Sequence, residues 1–301
     1  MDKPPRRRLL SYRGQMLLFL APFLLGTLVL VALPVLATVA IAFTRYYGIA
    51  PPTWAGLANL QRVTENLLIR RSLFNSMLFL GLAVPLRLLG ALSLALLLQR
   101  RQRGFGLYRV AVYIPTIIPE PAYALIWLWI LNPASGPLNV LLGWLGLPTP
   151  AWLAEPVTAQ LAMVLMALLQ IGEGFVVLLA AMRSVPQALY EAAAVDGAGP
   201  WQAFRRLTLP LIWPWLFLLA GRDLLVALQN TFTPSFMMTY GGPYYATTFV
   251  PLLVYELAFD YTDLGLASAV LLVTFVLLAL LIVGIRNLVE GLRGVAEEEQ
   301  V

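Results

Sequence analysis

From about Gln15 to Phe43 this chain runs without a single charged side chain. A helix rises about 1.5 Å per residue, so about 20 apolar residues cross the hydrocarbon core of a bilayer, and this block exceeds that. Further apolar blocks follow at about Leu73–Leu98, Val110–Leu131, Val157–Met182, Leu209–Gln229 and Leu264–Ile285. An all-α, polytopic transmembrane bundle of about six spans is therefore expected. The bulk numbers agree: 12% of the residues are charged and the mean hydropathy is +0.81, where soluble domains carry about 25% charged residues. The first block is too long for a secretory signal and lacks a convincing small-residue cleavage site, so it reads as a retained span. Pro22 and Pro34 are expected to bend it.

Lysine and arginine set the orientation. Fourteen of them fall on one side of a six-span chain: Lys3, Arg6, Arg7, Arg8, Arg13, Arg100, Arg101, Arg103, Arg109, Arg183, Arg205, Arg206, Arg286 and Arg293. Four fall on the other, Arg45, Arg62, Arg70 and Arg71. The excess of positive charge inside places both termini in the cytoplasm of a cell (inner) membrane protein. Arg70 and Arg71 run against that pattern and read as snorkelling residues at the outer interface. Residues 1–14 are then a cytoplasmic tail, 15–286 the membrane domain and 287–301 a second tail. Its Glu297–Glu299 run reads as a solvated end. The basic residues border apolar blocks, so they point to anionic lipid and not to nucleic acid.

Cysteine and histidine are both absent. This excludes a disulfide framework, a Cys/His metal site and nucleophilic chemistry that needs a histidine base. No facing pair of carboxylates suggests an intramembrane protease. No cofactor is expected. Trp127, Trp129, Trp144, Trp152, Trp213 and Trp215 lie near predicted boundaries and read as interfacial anchors.

Between the fourth and fifth blocks runs SVPQALYEAAAVDGAGPWQAFRRLTLPLIWP, Ser184 to Pro214. Ser184 and Gln187 fit a capping box, and Pro186 is tolerated in a first turn. Alanine-rich helix follows, and Gly197 supplies a left-handed stop. Gly199-Pro200 restarts the chain, Trp201–Leu207 reads as a second short helix, and Pro210 and Pro214 mark the start of the fifth span. An alanine face lets another backbone approach closely, while Glu191 and Asp196 offer charges for pairing. A knob for a partner and an ordinary loop helix both fit these residues.

The segment resembles the EAA loop of permease subunits of binding-protein-dependent ATP-binding-cassette importers. It matches their pattern at Glu191, Ala192, Ala193, Asp196, Gly197, Ala198, Phe204, Thr208, Leu209, Pro210, Leu211 and Pro214. The resemblance extends along the chain to the carbohydrate-type members. It includes Trp54, Gly56 and Asn59, then Asn75 (with Ser76 where threonine is usual), and Arg109 with Pro115. Asn132, Pro133, Gly136 and Asn139 continue it, as do Gly241, Gly242, Pro243 and Thr247, with Tyr240 departing from the usual residue. It implies the type I (MetI-like) permease fold, with residues 184–208 as the coupling loop. Glu191, Ala192, Ala193, Asp196, Gly197, Ala198, Phe204 and Pro210 would dock on a cytoplasmic ATPase. It also implies the partners: a second related permease, two ATPase subunits that hydrolyse the ATP, and an extracytoplasmic solute-binding protein. The solute would be a carbohydrate or a relative such as a polyol or glycerol phosphate. This chain would be half of the pathway and no enzyme.

Arg87, Glu120, Glu173, Arg222 and Asp223 fall in or near the predicted spans. Charges at depth cost about 2.5–3.5 kcal/mol on insertion scales, so they face a cavity or a partner. Glu173, between Gly172 and Gly174, is expected where the glycines break the helix; it lines the pathway or pairs with Arg87 or Arg222. Arg222 and Asp223 are adjacent and are expected on different helix faces, pairing across helices. Gln170, Glu173, Asp223 and Asn230 form the candidate solute pathway. The alternative is an ion-coupled secondary transporter with Glu173 or Asp223 as its proton site, although no repeated halves support it.

Overall fold

The computed structural model describes residues 11–99 and 104–298, with side chains described as far as residue 287. Most of the N-terminal tail, Arg100, Arg101 and Arg103, the side chain of Arg293 and the Glu297–Glu299 run lie outside the described side chains. What is described is helical except for one ribbon.

Helix α1 (Tyr12–Ile41) leads into strands β1 (Thr44–Arg45) and β2 (Thr53–Trp54), antiparallel with Thr44 opposite Trp54. Helix α2 (Ala58–Glu65) and the long α3 (Leu67–Leu97) follow. Asn66 caps α3, its Oδ1 accepting from Leu68 N at 2.9 Å and Ile69 N at 3.2 Å. The cap starts the helix earlier than hydropathy suggests, so Arg70 and Arg71 lie exposed in its opening turns. Next come α4 (Phe105–Ile117) and α5 (Glu120–Ile130), then the short α6 (Pro137–Trp144). α7 (Pro156–Leu169) and α8 (Gly172–Arg183) precede the exposed α9 (Gln187–Val195). α10 (Pro200–Thr239), α11 (Val250–Tyr255, prolonged by a π turn to Asp260) and α12 (Leu264–Glu298) complete the chain.

Four helices are long and apolar enough to cross a membrane unbroken: α1, α3, α10 and α12. The expected six are reached when α4 with α5 and α7 with α8 each count as one crossing. Those two are not straight. α4 and α5 meet at 101°, α7 and α8 at 43°. Proline explains the first: Pro119 pushes Ile118 to extended backbone (ψ 127°) and has no N–H to continue the ladder.

Neither proline of the first span, Pro22 or Pro34, interrupts its helix. A π turn, Leu28–Ala32, sits just ahead of Pro34, and the helix continues through it. The same device recurs before Pro210, where a π turn spans Phe204–Thr208. An i→i+5 turn widens the helix and removes the register in which the proline ring would clash. The expected short helix Trp201–Leu207 is therefore fused to the fifth span as the start of α10.

α3 lies at the centre and packs against α7, α8 and α10. Around it are buried Phe79, Leu80, Phe175, Leu178, Leu224 and Phe249. A second apolar cluster joins α11 to α12 through Val250, Leu253 and Val270. Of the tryptophans expected as anchors, Trp127 is instead core, while Trp129 and Trp144 are exposed. Trp152 is tied inward, donating from Nε1 to Asn139 Oδ1 at 2.8 Å. α1 buries none of its apolar window.

Candidate functional site

The two helix breaks face one another. At the end of α7, Gln170 leaves helical geometry (φ −93°, ψ 43°) and its carbonyl loses its helical partner. Arg87, reaching from α3, donates to that carbonyl from Nη2 at 3.0 Å. The break therefore precedes Gly172 and is not made by it. Gly172 and Gly174 are helical, and Gly172 serves close packing. A Cβ on Gly172 would sit 2.9 Å from Tyr113 Cα and from Val112 O of α4, and one on Gly174 would sit 3.4 Å from Ala91 Cβ. Non-helical backbone at membrane depth is tolerated where it lines a cavity or is buried in protein. Both conditions hold here.

A chain of charges runs across the gap. Glu173 on α8 pairs with Arg222 Nη2 on α10. Arg222 Nη1 donates to Asp223 Oδ1 at 3.1 Å, and Asp223 Oδ2 lies 3.2 Å from Arg87 Nε on α3. Of the two partners expected for Glu173, Arg222 is the one it meets; Arg87 goes to Asp223. Arg222 and Asp223 pair across to different helices as expected, Arg222 with α8 and Asp223 with α3, and they also touch each other. Consecutive residues do point about 100° apart, but the arginine side chain is long enough to bend back onto its neighbour. Arg87 and Asp223 are deeply buried, with side chains 7% exposed each, while Arg222 and Glu173 are open at 36% and 45%.

The cleft beside this chain has two lobes that share Arg87, Glu120, Gln170 and Asn230. Phe79, Tyr123, Met163 and Met166 make the first lobe apolar. Thr116, Glu173 and Arg222 make the second polar. Three of the four expected pathway residues, Gln170, Glu173 and Asn230, thus share one wall. Asp223 does not line either lobe; it lies behind, holding both arginines. Glu120, at the first turn of α5, joins them. Its Oε2 accepts from Thr233 Oγ1 at 3.0 Å, and Asn230, with its amide nitrogen turned toward Glu120, donates to Oε1 at 2.7 Å. Arg87 and Glu120 were legible only as charges at depth. That they join one wall follows from the bends.

The second region is α9. It buries no residue. Glu191, Ala192, Asp196, Gly197 and Pro210 are exposed, and Ala193, Ala198 and Phe204 are half-buried. The expected stop is present: Gly197 has φ +79°, its N–H bonds Ala194 O at 3.1 Å, and Ala198 N–H bonds Ala193 O at 2.9 Å. This pair of bonds is the Schellman arrangement, which glycine adopts at little cost. The expected capping box does not form. Ser184 closes α8 instead, its hydroxyl donating to Ala181 O at 2.7 Å, and Pro186 occupies the cap position of α9. Gln187 turns to Glu191, donating to Oε1 at 3.0 Å. A hydrogen bond ties α9 to α10, between the Tyr190 and Thr208 hydroxyls, 2.8 Å apart.

Other residues of the resemblance hold loops. Asn59 Nδ2 donates to Ala42 O at 3.0 Å and Thr44 O at 2.7 Å. Asn139 Nδ2 bridges Pro133 O and Pro150 O. Asn75 and Gln160 grip the 240–249 loop through Tyr245 O at 2.8 Å and Ala246 O at 3.0 Å. In that loop Gly241 has φ +78°, and a Cβ there would lie 2.4 Å from Thr248 Oγ1.

Known proteins share both sequence and architecture. Residues 87–293 match the family described as binding-protein-dependent transport system inner membrane component. The trehalose/maltose transport system permease protein MalF of Thermococcus litoralis is 34% identical over 272 residues, covering 89% of this chain and 92% of that protein. The sn-glycerol-3-phosphate transport system permease protein UgpA of Yersinia pestis is 32% identical over 236 residues, 77% of each chain. Among solved structures, a chain of a bacterial alginate ABC transporter, in complex with an alginate pentasaccharide-bound periplasmic protein, superposes with TM-score 0.74. It is 22% identical and covers 89% of this chain and 91% of that one, a likeness of fold. The apolar helices, the two bent crossings and these matches lead to one conclusion: the chain belongs to the binding-protein-dependent transport system inner membrane component family, the membrane-embedded and non-enzymatic part of ABC importers.

Proposed function

We propose that this chain forms half of the path by which a saccharide, or a close relative such as a polyol, is imported, driven by separate ATPase subunits that grip α9. The observation that carries this reading is how α9 is attached. It follows α8 directly, and α8 carries Glu173. It is tied by Tyr190–Thr208 to α10, which carries Arg222 and Asn230. A push on α9 therefore reaches both ends of the Glu173–Arg222 pair. With no buried residue of its own, α9 is free to sit in a partner's groove. Glu191, Ala192, Ala193, Asp196, Gly197 and Ala198 form that contact, with Phe204 and Pro210 beside it. The cleft supplies acceptors and donors in Glu173, Gln170 and Asn230 on one wall.

The work is divided among several chains. A second related permease completes the path, two ATPase subunits close on ATP, and an extracytoplasmic binding protein delivers the solute. Both termini and α9 lie in the cytoplasm. An ion-coupled mechanism would need Glu173 or Asp223 to trade protons. Both are engaged by arginines, and no observation favours that reading over this one.

Coupling is tested by ATP-driven uptake of radiolabelled maltose and trehalose into proteoliposomes holding the whole assembly. Replacing Glu191 with Lys, or Gly197 with Val, is expected to lower uptake per ATP hydrolysed by about ten-fold, since coupling energies run about 1–3 kcal/mol. Membrane insertion should be unchanged. Normal uptake by both variants would overturn the assignment of α9.

A further inference from the structure

We infer that the cleft at the two helix breaks admits an uncharged, hydroxyl-rich solute and disfavours an anionic one. This rests on the import reading and narrows it, because the relatives divide on this point. One is a trehalose/maltose permease, whose solutes are neutral, and another is named for sn-glycerol 3-phosphate, an anion.

The inference comes from following every charge at the cleft. Five ionisable side chains surround it: Arg87 and Arg222 against Glu120, Glu173 and Asp223. Arg87 is engaged by Asp223 through Nε and by Gln170 O through Nη2, and its side chain is only 7% exposed. Arg222 is engaged by Asp223 through Nη1 and by Glu173 through Nη2. An anion would therefore compete with Asp223 and Glu173 for both guanidinium groups. Bidentate anion binding needs a fork that protein carboxylates have not already filled.

Glu120 is the remainder. It meets only neutral donors, Asn230 and Thr233, and among the described residues it forms no ion pair. With all five groups ionised, two positive charges stand against three negative. Arg87 and Arg222 line the cleft against Glu120 and Glu173, and Asp223 behind them leaves one negative charge in excess for an entering anion to meet, in a region where screening is weak. A sugar hydroxyl meets the opposite: carboxylate oxygens of Glu120 and Glu173 with lone pairs to spare, beside the amide of Gln170. Phe79 and Tyr123, both buried, back the apolar lobe. Glu120 is thus assigned as a specificity residue of this wall.

The test uses the whole assembly in proteoliposomes. Calorimetry first establishes which solutes the binding protein holds, with trehalose, maltose, an alginate oligosaccharide and sn-glycerol 3-phosphate as the panel. Neutral saccharides should be held and carried. Any anion that is held should be carried at about a tenth of that rate or less. Glu120→Gln should lower neutral-sugar uptake about ten-fold by weakening hydrogen bonds to a charged acceptor. Glu120→Asp should recover part of it, and both variants should keep the melting temperature. A role in packing alone would instead lower melting temperature and uptake together, and that result counts against the inference. Uptake of an anion at the neutral rate, or unchanged uptake by Glu120→Gln, would overturn it while leaving the import reading standing. Uptake of no saccharide at all, with ATP hydrolysis intact, would remove both.

Discussion

Asp223 is 5% exposed and is the one carboxylate that touches both arginines of the cleft. Removing a single member of a buried pair leaves an uncompensated charge and costs about 3–5 kcal/mol, whereas replacing both with apolar residues is often neutral. Asp223→Asn is therefore expected to lower the melting temperature sharply, and Arg87→Met with Asp223→Leu to recover most of the loss. Melting curves of the two singles and the double in detergent check this; strictly additive losses would contradict it. Glu256, on the π turn after α11, tells a different story. Its carboxyl is pushed up from 4.5, first by burial and then by Asp260. A raised acid pKa belongs to the folded state, so the fold loses stability as pH climbs from 4.5 through the raised value. Glu256→Gln removes that slope. The variant should melt higher than the parent at neutral pH and show no advantage below 4.5. The sequence located all five charges at the cleft and anticipated pairing across helices. It left Glu173 between two arginines, because choosing between them needs the rotation and depth of three helices.

Among elements, the glycines separate by what surrounds them. Gly172→Ala would drive a Cβ to 2.9 Å from the backbone of α4, so the helices must part; overpacking of this kind costs about 1–3 kcal/mol. Gly221→Ala on α10 meets nothing within 4 Å and should melt like the parent or slightly above it. Comparing the two melting temperatures tests whether α4 and α8 cross as closely as described. Gly197 is a third case: a Cβ there also meets open space, yet φ is +79°, so the strain is in the backbone alone. The stop after α9 was legible because a left-handed turn after an alanine run is local chemistry. The fusion of Trp201–Leu207 into α10 was not. Gly199-Pro200 and Pro210 read as punctuation, and only the π turn shows how the chain carries helix past Pro210. The capping box failed for a related reason, since Ser184 had a helix end to satisfy on its own side.

At the scale of the molecule, α1 buries none of its apolar window, and a groove of about 990 Å³ between α3 and α10 is lined by apolar side chains such as Leu88, Trp213 and Phe217. That groove offers little to a hydroxylated solute, in contrast to the charged cleft. Orientation has a direct check, because the chain contains no cysteine. A cysteine at Asp196 should react with a membrane-impermeant maleimide only after inverted vesicles are prepared or cells are opened. One at Tyr244, 78% exposed in the 240–249 loop, should react from outside intact cells. The reverse pattern would turn the molecule over and remove α9 from the ATPase side.

Taken alone, the sequence determined the helical class, the apolar segments long enough to cross a membrane, the protruding Gln187–Val195 helix and its left-handed stop. Each is a property of consecutive residues: a run of apolar side chains needs lipid, and a glycine after a helix needs no neighbour. It could not show that α4 and α5 meet at 101°, since both are apolar and read as one block. Nor could it show that Arg87 caps the carbonyl of Gln170, 83 positions away. The tertiary structure decided those. Pairing at depth is settled by which broken helix ends meet, and no local pattern records where distant segments lie once the chain is packed.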